Sequence, residues 1–133
     1  VLERSGVRYY NDSKGTNPDA AIQAIRAMPG PTVLIAGGYD KHSEYDEWIE
    51  AFGDKVKYLV LIGQTRDKIA ECAKAHGFYD IMYAEDMSEA VRVCASYANM
   101  GDNVLLSPAC ASWGMFKNYE ERGRIFKECV RSL

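Results

Sequence analysis

The feature that most constrains the fold is a series of short apolar segments separated by stretches of helical periodicity. Thr32–Ala36 is continuously apolar, and Val56–Ile62, Ile81–Tyr83 and Val104–Leu106 are mainly apolar. A strand that helices cover on both faces loses the usual alternation of polar and apolar residues. Strands of this kind, alternating with helices, predict an α/β fold. We expect a Rossmann-like three-layer domain with a mostly parallel sheet of about six strands and helices on both faces.

The start of the chain predicts one antiparallel strand. Val1–Glu3 and Val7–Asn11 are joined by Arg4-Ser5-Gly6, a short glycine-containing link that favours a hairpin. Apolar residues at helical spacing then predict five helices. These are a helix that ends at about Met28, a helix capped by Ser43 that buries Tyr45, Trp48, Ile49 and Phe52, helices capped by Thr65 and Asp86, and a last helix from Trp113 to Arg131.

Composition limits the class of protein. A chain of 133 residues is long enough for one domain, 1–133, with its own core. A net charge of −3 without a basic cluster argues against a nucleic-acid partner, and no apolar run is long enough to span a membrane. The four cysteines are scattered and there are only two histidines, a pattern that fits neither a zinc motif nor a disulfide framework. We therefore expect reduced thiols and a cytoplasmic location. Because the sequence begins at Val1 without a signal segment, we also expect a piece of a longer chain.

Three polar turns follow predicted strands: Asn11–Asn17, Gly37–Lys41 and Ser107–Ser112. In a parallel sheet such turns share the edge at the carboxyl ends of the strands, where ligands bind. Free N–H groups at the following helix starts add partial positive charge. The side chains offered are the ammonium groups of Lys14 and Lys41 and the hydroxyls of Thr16, Ser107 and Ser112. This set predicts an anionic ligand with carboxylate or phosphate oxygens.

Plainer interpretations stay open for several of these residues. Asp12, Ser13 and Asn17 can simply cap and turn the chain, while Lys14 is solvated. His42 fits a solvated loop residue, His76 a helix-end residue, and Cys110 a small packing residue, since no base is placed to activate its thiol. Neither G-x-x-x-x-G-K-[ST] nor G-x-G-x-x-G occurs, so the chain has neither standard phosphate loop for a nucleotide.

Three motifs resemble one family closely. They are Asn-Asp-Ser-Lys-Gly-Thr-Asn at 11–17, Gly-Gly-Tyr-Asp-Lys at 37–41, and Ser-Pro-Ala-Cys-Ala-Ser-Trp-Gly-Met-Phe-Lys-Asn at 107–118, followed by Glu-Arg-Gly at 121–123. In this order they are similar to the C-terminal domain of the Mur ligases of peptidoglycan synthesis, and the similarity covers essentially the whole chain. The Ser-Lys pair of the first motif favours the D-glutamate-adding members over their sister ligases.

The resemblance implies a three-domain, ATP-dependent ligase that activates a carboxylate as an acyl phosphate, which the amine of D-glutamate attacks. This chain would be the last domain, with the central and N-terminal domains as partners, and ATP and Mg²⁺ would be bound mainly by those domains. Isolated, it would be inactive. By motif position, the D-glutamate carboxylates would be held by Thr16, Lys41, Ser112 and Phe116 with the Trp113 backbone. Lys14 would take a catalytic position near the reacting groups, and Asp12 would reach the ATP ribose.

Three residues depart from the family pattern. Tyr39 and Trp113 are bulkier than the resemblance leads us to expect, and Gly15 stands where alanine is usual. An alternative of another class is a non-catalytic anion-binding or receiver-like α/β module, in which the same turns bind a phosphate or dock a partner.

Overall fold

A computed structural model describes residues 1–133, and six strands form a single sheet. The sheet order is β1-β2-β6-β3-β4-β5, and every neighbouring pair is parallel except β1 with β2. The predicted mostly parallel sheet with one antiparallel strand is therefore confirmed. The strands are β1 (Leu2–Arg4), β2 (Val7–Asn11), β3 (Thr32–Ala36), β4 (Val56–Leu61), β5 (Ile81–Tyr83) and β6 (Asn103–Leu106).

Five helices cover the two faces of the sheet. Buried residues of the first three share one apolar cluster with Leu34 and Ala36, and those of the last two share another with Val33 and Ile35. Alternate residues of β3 thus enter opposite cores, which is why this strand is apolar throughout. The helices are α1 (Pro18–Ala27), α2 (Asp46–Glu50), α3 (Arg66–Ala75), α4 (Met87–Tyr97) and α5 (Tyr119–Arg131). The three-layer architecture is confirmed.

The starting hairpin has the predicted tight link. Ser5 and Gly6 both have positive φ, 52° and 78°, the conformation of a type I′ turn. That turn matches the right-handed twist of paired strands, so β1 lies antiparallel to β2 at the edge of the sheet.

One predicted helix cap is wrong, and another is correct in position but makes no capping bond. The second helix begins at Asp46, with Tyr45 at its N-cap position, and Ser43 lies in the preceding loop. Thr65 does occupy the N-cap position of α3, yet its hydroxyl makes no capping bond there. It accepts a hydrogen bond from the Gly38 N–H at 3.0 Å instead, since this buried amide has to be satisfied. The four apolar residues predicted to face the core, Tyr45, Trp48, Ile49 and Phe52, are all buried.

The last helix begins six residues later than predicted, at Tyr119 rather than Trp113. Gly114 has a φ of 90°, which a right-handed helix does not contain, and Asn118 is extended. The Asn118 side chain accepts the Glu121 N–H at 2.8 Å and so fixes the first turn of α5. Trp113 and Phe116 therefore lie in a loop that leads from β6 into α5.

Two further structural observations complete the description of the chain. All four cysteines are free, as expected for reduced thiols. Of the helices, none combines the length and the apolar character needed to cross a bilayer.

The Asn118 cap gives the first prediction. Asn118→Ala leaves an N–H group of α5 without its partner, so we expect the free energy of unfolding to fall by about 1 kcal/mol. Ser43→Ala is the matched control, since Ser43 was the predicted cap of a helix that it does not cap. Its effect should stay within about 0.5 kcal/mol. Urea denaturation of both variants measures the difference, and equal losses would contradict the assignment.

Candidate functional site

The three polar turns converge because the strands before them are neighbours. We call them the β2 turn (Asn11–Asn17), the β6 turn (Ser107–Ser112) and the β3 turn (Gly37–Lys41), in their spatial order. The β6 turn lies in the middle and is bonded to both others. Three backbone bonds make this connection: Ala109 N–H to Gly15 O at 2.9 Å, Gly37 N–H to Pro108 O at 3.0 Å, and Tyr39 N–H to Ala111 O at 2.9 Å.

A side-chain bond also joins the β2 and β6 turns. The Ser107 hydroxyl donates to Asp12 Oδ2 at 2.8 Å, and the Asp12 N–H donates to the Leu106 carbonyl at 2.7 Å. Burial raises the pKa of the Asp12 carboxyl above its ordinary value, although the Ser107 hydrogen bond and the Arg122 charge oppose this. One carboxylate oxygen of Asp12 is therefore committed to the fold.

The strongest connection comes from Arg122 of α5, which is only 1% exposed. Its guanidinium donates from Nε to Ser13 Oγ at 3.0 Å, from Nη2 to Ser13 O at 2.6 Å and from Nη1 to Cys110 O at 3.0 Å. Burial lowers the pKa of Arg122 to about 10, against the opposing effects of Cys110 and Asp12, so it keeps its charge at neutral pH. Arg122 thus holds the β2 turn against the β6 turn.

The sequence contains a signal for Arg122 that the site prediction does not use. Arg122, Phe126 and Val130 follow one another at a spacing of four, so they share one helix face, and all three are buried. A charged residue on an apolar face indicates a buried hydrogen-bond network.

Gly123 lets the β2 turn approach α5. A Cβ at this position would lie 2.8 Å from Asn11 Nδ2 and 3.2 Å from Ser13 Cβ, too close for either to stay in place. The Ser13 hydroxyl, which accepts from Arg122, also donates to the Tyr119 carbonyl at 2.6 Å. The absence of a side chain at residue 123 is therefore part of how the turn is held.

Cys110 has the packing role that the sequence favoured. It is 2% exposed, and its sulfur lies 3.3 Å from the Tyr45 hydroxyl and 3.4 Å from the Thr65 hydroxyl. Burial raises the pKa of the Cys110 thiol above its ordinary value, which disfavours the nucleophilic thiolate. His42 lies exposed in the loop after Lys41, as the solvated interpretation expects.

The predicted ligand-binding residues form two groups around the β6 turn. Lys41 is exposed, and its Nζ lies 5.9 Å from the centre of the Trp113 ring. Ser112 is buried, and its carbonyl accepts the Phe116 N–H at 3.0 Å. Exposed Lys14 and half-buried Thr16 belong to the β2 turn on the other side. Because β6 separates β2 from β3, the two strands that lead into the turns with Lys14 and Lys41 are about 10 Å apart.

Two of the three residues that depart from the family pattern, Tyr39 and Trp113, contact each other. The Tyr39 and Trp113 rings pack edge to face with their centres 5.4 Å apart, and Trp113 also lies beneath the Lys41 ammonium. Such cation–aromatic contacts orient a lysine that would otherwise be free. The bulky pair therefore forms a platform for Lys41.

Gly15, the third residue that departs from the family pattern, leaves room for the hydrogen bond between Asp12 and Ser107. A Cβ at residue 15 would lie 2.5 Å from Asp12 Oδ2 and 2.9 Å from Ser107 Oγ. An alanine there would have to displace this hydrogen bond, so glycine and the bond belong together in this chain.

The two carboxylates of the three turns already have partners in the fold. Asp12 and Asp40 follow strands that β6 separates. Asp12 accepts the Ser107 hydroxyl at 2.8 Å. Asp40 accepts the His42 N–H at 2.7 Å and lies 3.3 Å from the Lys68 ammonium.

The site as a whole defines a class of protein. A mostly parallel α/β domain with connected polar turns at the carboxyl ends of its strands belongs to the class of α/β folds that bind ligands at that edge. The Mur ligase family model described as the glutamate ligase domain matches residues 1–110. The chain therefore belongs to the Mur ligase family, as the resemblance of its motifs predicted.

Relatives of known name agree with this membership. The chain is 64% identical over 133 residues to the UDP-N-acetylmuramoylalanine–D-glutamate ligase of Lachnoclostridium phytofermentans and covers 29% of that protein. It is 63% identical to the enzyme of the same name from Lachnospira eligens, of which it covers 30%. In both cases the whole of this chain is matched. The chain thus spans about a third of the length of these relatives.

Solved structures share the fold. A domain of a putative UDP-N-acetylmuramate:L-alanyl-γ-D-glutamyl-meso-diaminopimelate ligase from Haemophilus ducreyi superposes with a TM-score of 0.58 at 15% identity, covering 97% of this chain and 99% of that one. A MurF ligase from Thermotoga maritima in complex with ADP gives 0.53 at 21% identity, covering 100% of this chain and 31% of that one. At these identities the likeness concerns the fold alone.

Arg122 gives the second prediction. Arg122→Ala leaves the Ser13 and Cys110 carbonyls buried without donors, so we expect the free energy of unfolding to fall by about 3 kcal/mol or more. The matched control is Arg124→Ala, two residues along the same helix, where the side chain is 60% exposed and pairs only with surface glutamates. Its effect should stay below about 1 kcal/mol. Similar denaturation midpoints for the two variants would show that Arg122 does not hold the turns.

Proposed function

We propose that the chain is the C-terminal, amino-acid-binding domain (1–133) of a cytoplasmic, ATP-dependent ligase that adds D-glutamate to UDP-N-acetylmuramoyl-L-alanine in peptidoglycan synthesis. Family membership and the names of the relatives that match the whole chain support this proposal. Because the chain covers about 30% of those relatives, the central and N-terminal domains of the same polypeptide are proposed as its partners.

The observation that carries the proposal is the rigid connection of three donor-bearing turns. Thr16, Ser112 and Lys41 come from three different turns, yet the turns are tied to one another by backbone bonds and by Arg122. Their hydroxyl and ammonium groups suit the two carboxylates of D-glutamate. Phe116 and the Trp113 backbone would complete the pocket. A preorganised pocket positions the amine of D-glutamate without first having to order the protein around it.

The reaction requires an electrophile, which ATP supplies by phosphorylating the carboxyl group of the acceptor. The amine nitrogen of D-glutamate then forms a bond to that carbonyl carbon, phosphate leaves with the electrons of the C–O bond, and the nitrogen loses a proton. Lys41 would hold a D-glutamate carboxylate. Lys14, exposed on the β2 turn, would stabilise the negative charge that develops on the reacting carboxyl and phosphate groups.

The fit of this chain to ATP is limited to one contact. Asp12 Oδ2 is occupied by Ser107, and the other carboxylate oxygen, Oδ1, would accept a ribose hydroxyl. Neither standard phosphate loop occurs in the chain, and both carboxylates of the turns already have partners. We therefore place the binding of the phosphates and of Mg²⁺ mainly on the other domains.

The alternative, a non-catalytic anion-binding or receiver-like module, uses the same turns without a reaction. Membership of the Mur ligase family favours the ligase. The coding sequence upstream of Val1 separates the two, because a ligase requires a phosphate loop there.

Lys41 gives the third prediction. In the full-length ligase, Lys41→Ala removes a charge-assisted bond of about 1.5–3 kcal/mol to the D-glutamate carboxylate, so we expect the KM for D-glutamate to rise about ten- to a hundredfold. Stability should change by less than about 0.5 kcal/mol because Lys41 is exposed. Steady-state kinetics with a thermal melt measure both quantities.

The control for this experiment needs a lysine away from the site. Lys68, which the sequence places on an exposed helix face, is unsuitable because it pairs with Asp40 of the β3 turn at 3.3 Å. Lys74→Ala, on the exposed side of the last turn of α3, is the better comparison. If Lys41→Ala leaves the KM within about twofold, as Lys74→Ala should, Lys41 is only a solvated loop residue.

The isolated chain gives the fourth prediction. Because it lacks a phosphate loop, we expect no D-glutamate-dependent formation of ADP from ATP by the purified 133-residue chain. A coupled ADP assay with the full-length ligase as positive control measures this. Turnover by the chain alone would show that the assignment of the ATP site to other domains is wrong.

A further inference from the structure

A second cluster of reactive side chains lies away from the three turns, where α2 packs beside α3. Asp46 begins α2, Cys72 lies in α3, and His76 is the C-cap residue of α3, one turn after Cys72. The atoms that each residue could offer to a metal all lie within 4.8 Å of one another. His76 Nε2 is 2.8 Å from Asp46 Oδ1, and Cys72 Sγ is 3.6 Å from the same oxygen. Three different ligand types therefore lie close together, and His76 Nε2 and Cys72 Sγ are both directed at Asp46 Oδ1.

A fourth side chain lies near the histidine. Glu50 stands one turn after Asp46 on α2, and its Oε1 lies 3.9 Å from His76 Nδ1, which is longer than a hydrogen bond. His76 Nε2, at 2.8 Å from Asp46 Oδ1, is the nitrogen that faces the cluster. A cation there would take the Nε2 lone pair and leave the ring proton on Nδ1, where Glu50 would have to approach to accept it and orient the ring.

The spacing and chemistry of the cluster select the cation. Ligand atoms around a tetrahedral zinc lie roughly 3.3–3.7 Å apart, so Asp46 and Cys72 already have a suitable separation and His76 has to move back by about 0.5 Å. Thiolate and imidazole suit Zn²⁺ and Co²⁺ but not Mg²⁺.

We propose that Asp46, Cys72 and His76 form a site for a thiophilic divalent cation of the zinc type, with solvent in the fourth position and Glu50 as the residue that orients His76. The side chains of Asp46 and His76 are 62% and 26% exposed, so an ion can enter from solvent. The cation would cross-link α2 to α3. Because α2 follows the β3 turn through a short loop, the link would also restrain the segment that carries Lys41. The site does not depend on the proposed ligase function.

Cobalt is the probe that tests the site directly. The reduced, metal-free 133-residue chain is titrated with Co²⁺, and we expect one equivalent to give a near-ultraviolet thiolate-to-cobalt band and intense visible bands typical of tetrahedral coordination. One equivalent of Zn²⁺ should abolish these bands, while excess Mg²⁺ should leave them. A titration without a thiolate band would overturn the proposal, whatever the variants do.

Matched variants locate the ion. Cys72→Ser and His76→Gln should each weaken Zn²⁺ binding at least tenfold, and Glu50→Gln about tenfold through the orientation of His76. Cys129→Ser and His42→Gln are the controls, since Cys129 is the other half-buried cysteine and His42 the other histidine. Both should bind as the wild type does. Thermal melts without metal verify folding, and equal Zn²⁺ affinity in Cys72→Ser and Cys129→Ser would show that the assignment is wrong.

Discussion

The buried guanidinium of Arg122 is the interaction on which the candidate site depends. Removing a charged group from water is costly, and here no carboxylate compensates it directly. Three hydrogen bonds to Ser13 and Cys110 take the place of water, and Ser13 is itself tied to α5 through the Tyr119 carbonyl. Because each partner lies in a different turn or helix, the network fixes their relative positions rather than merely adding stability.

Close packing of backbone around this network explains the small residues of the site. Gly123 allows Asn11 and Ser13 to reach α5, and Gly15 leaves room for the bond between Asp12 and Ser107. The donors proposed to meet D-glutamate differ in exposure: Ser112 is buried, Thr16 is half-buried, and Lys41 is exposed and lies over the Trp113 ring. A firmly connected base with the Lys41 cation at its surface is suited to a substrate that has to be held in one orientation and then released as product.

The accuracy of the predictions from sequence differs from one element to the next. Thr32–Ala36 was predicted to the residue, since an apolar run of strand length between turns has few alternatives. The predicted start of the last helix was wrong. Trp113 and Phe116 have the spacing of a helix face, but the backbone at Gly114 and Asn118 is not helical. Ser43 is a residue type that often caps helices. Burial of Tyr45 at the N-cap position leaves Ser43 in the preceding loop.

The sequence by itself determined the layers of the fold, the hairpin, the family and the three turns, because apolar periodicity, turn residues and motifs are local properties of the chain. Only the tertiary structure decided which groups meet. Arg122 lies 109 residues from Ser13, and Cys72 lies 26 residues from Asp46. Such encounters follow from the strand order that inserts β6 between β2 and β3 and from the packing of α2 beside α3. Neither the strand order nor the helix packing can be inferred from the spacing of residues along the chain, because burial of the whole sheet sets long-range pairing.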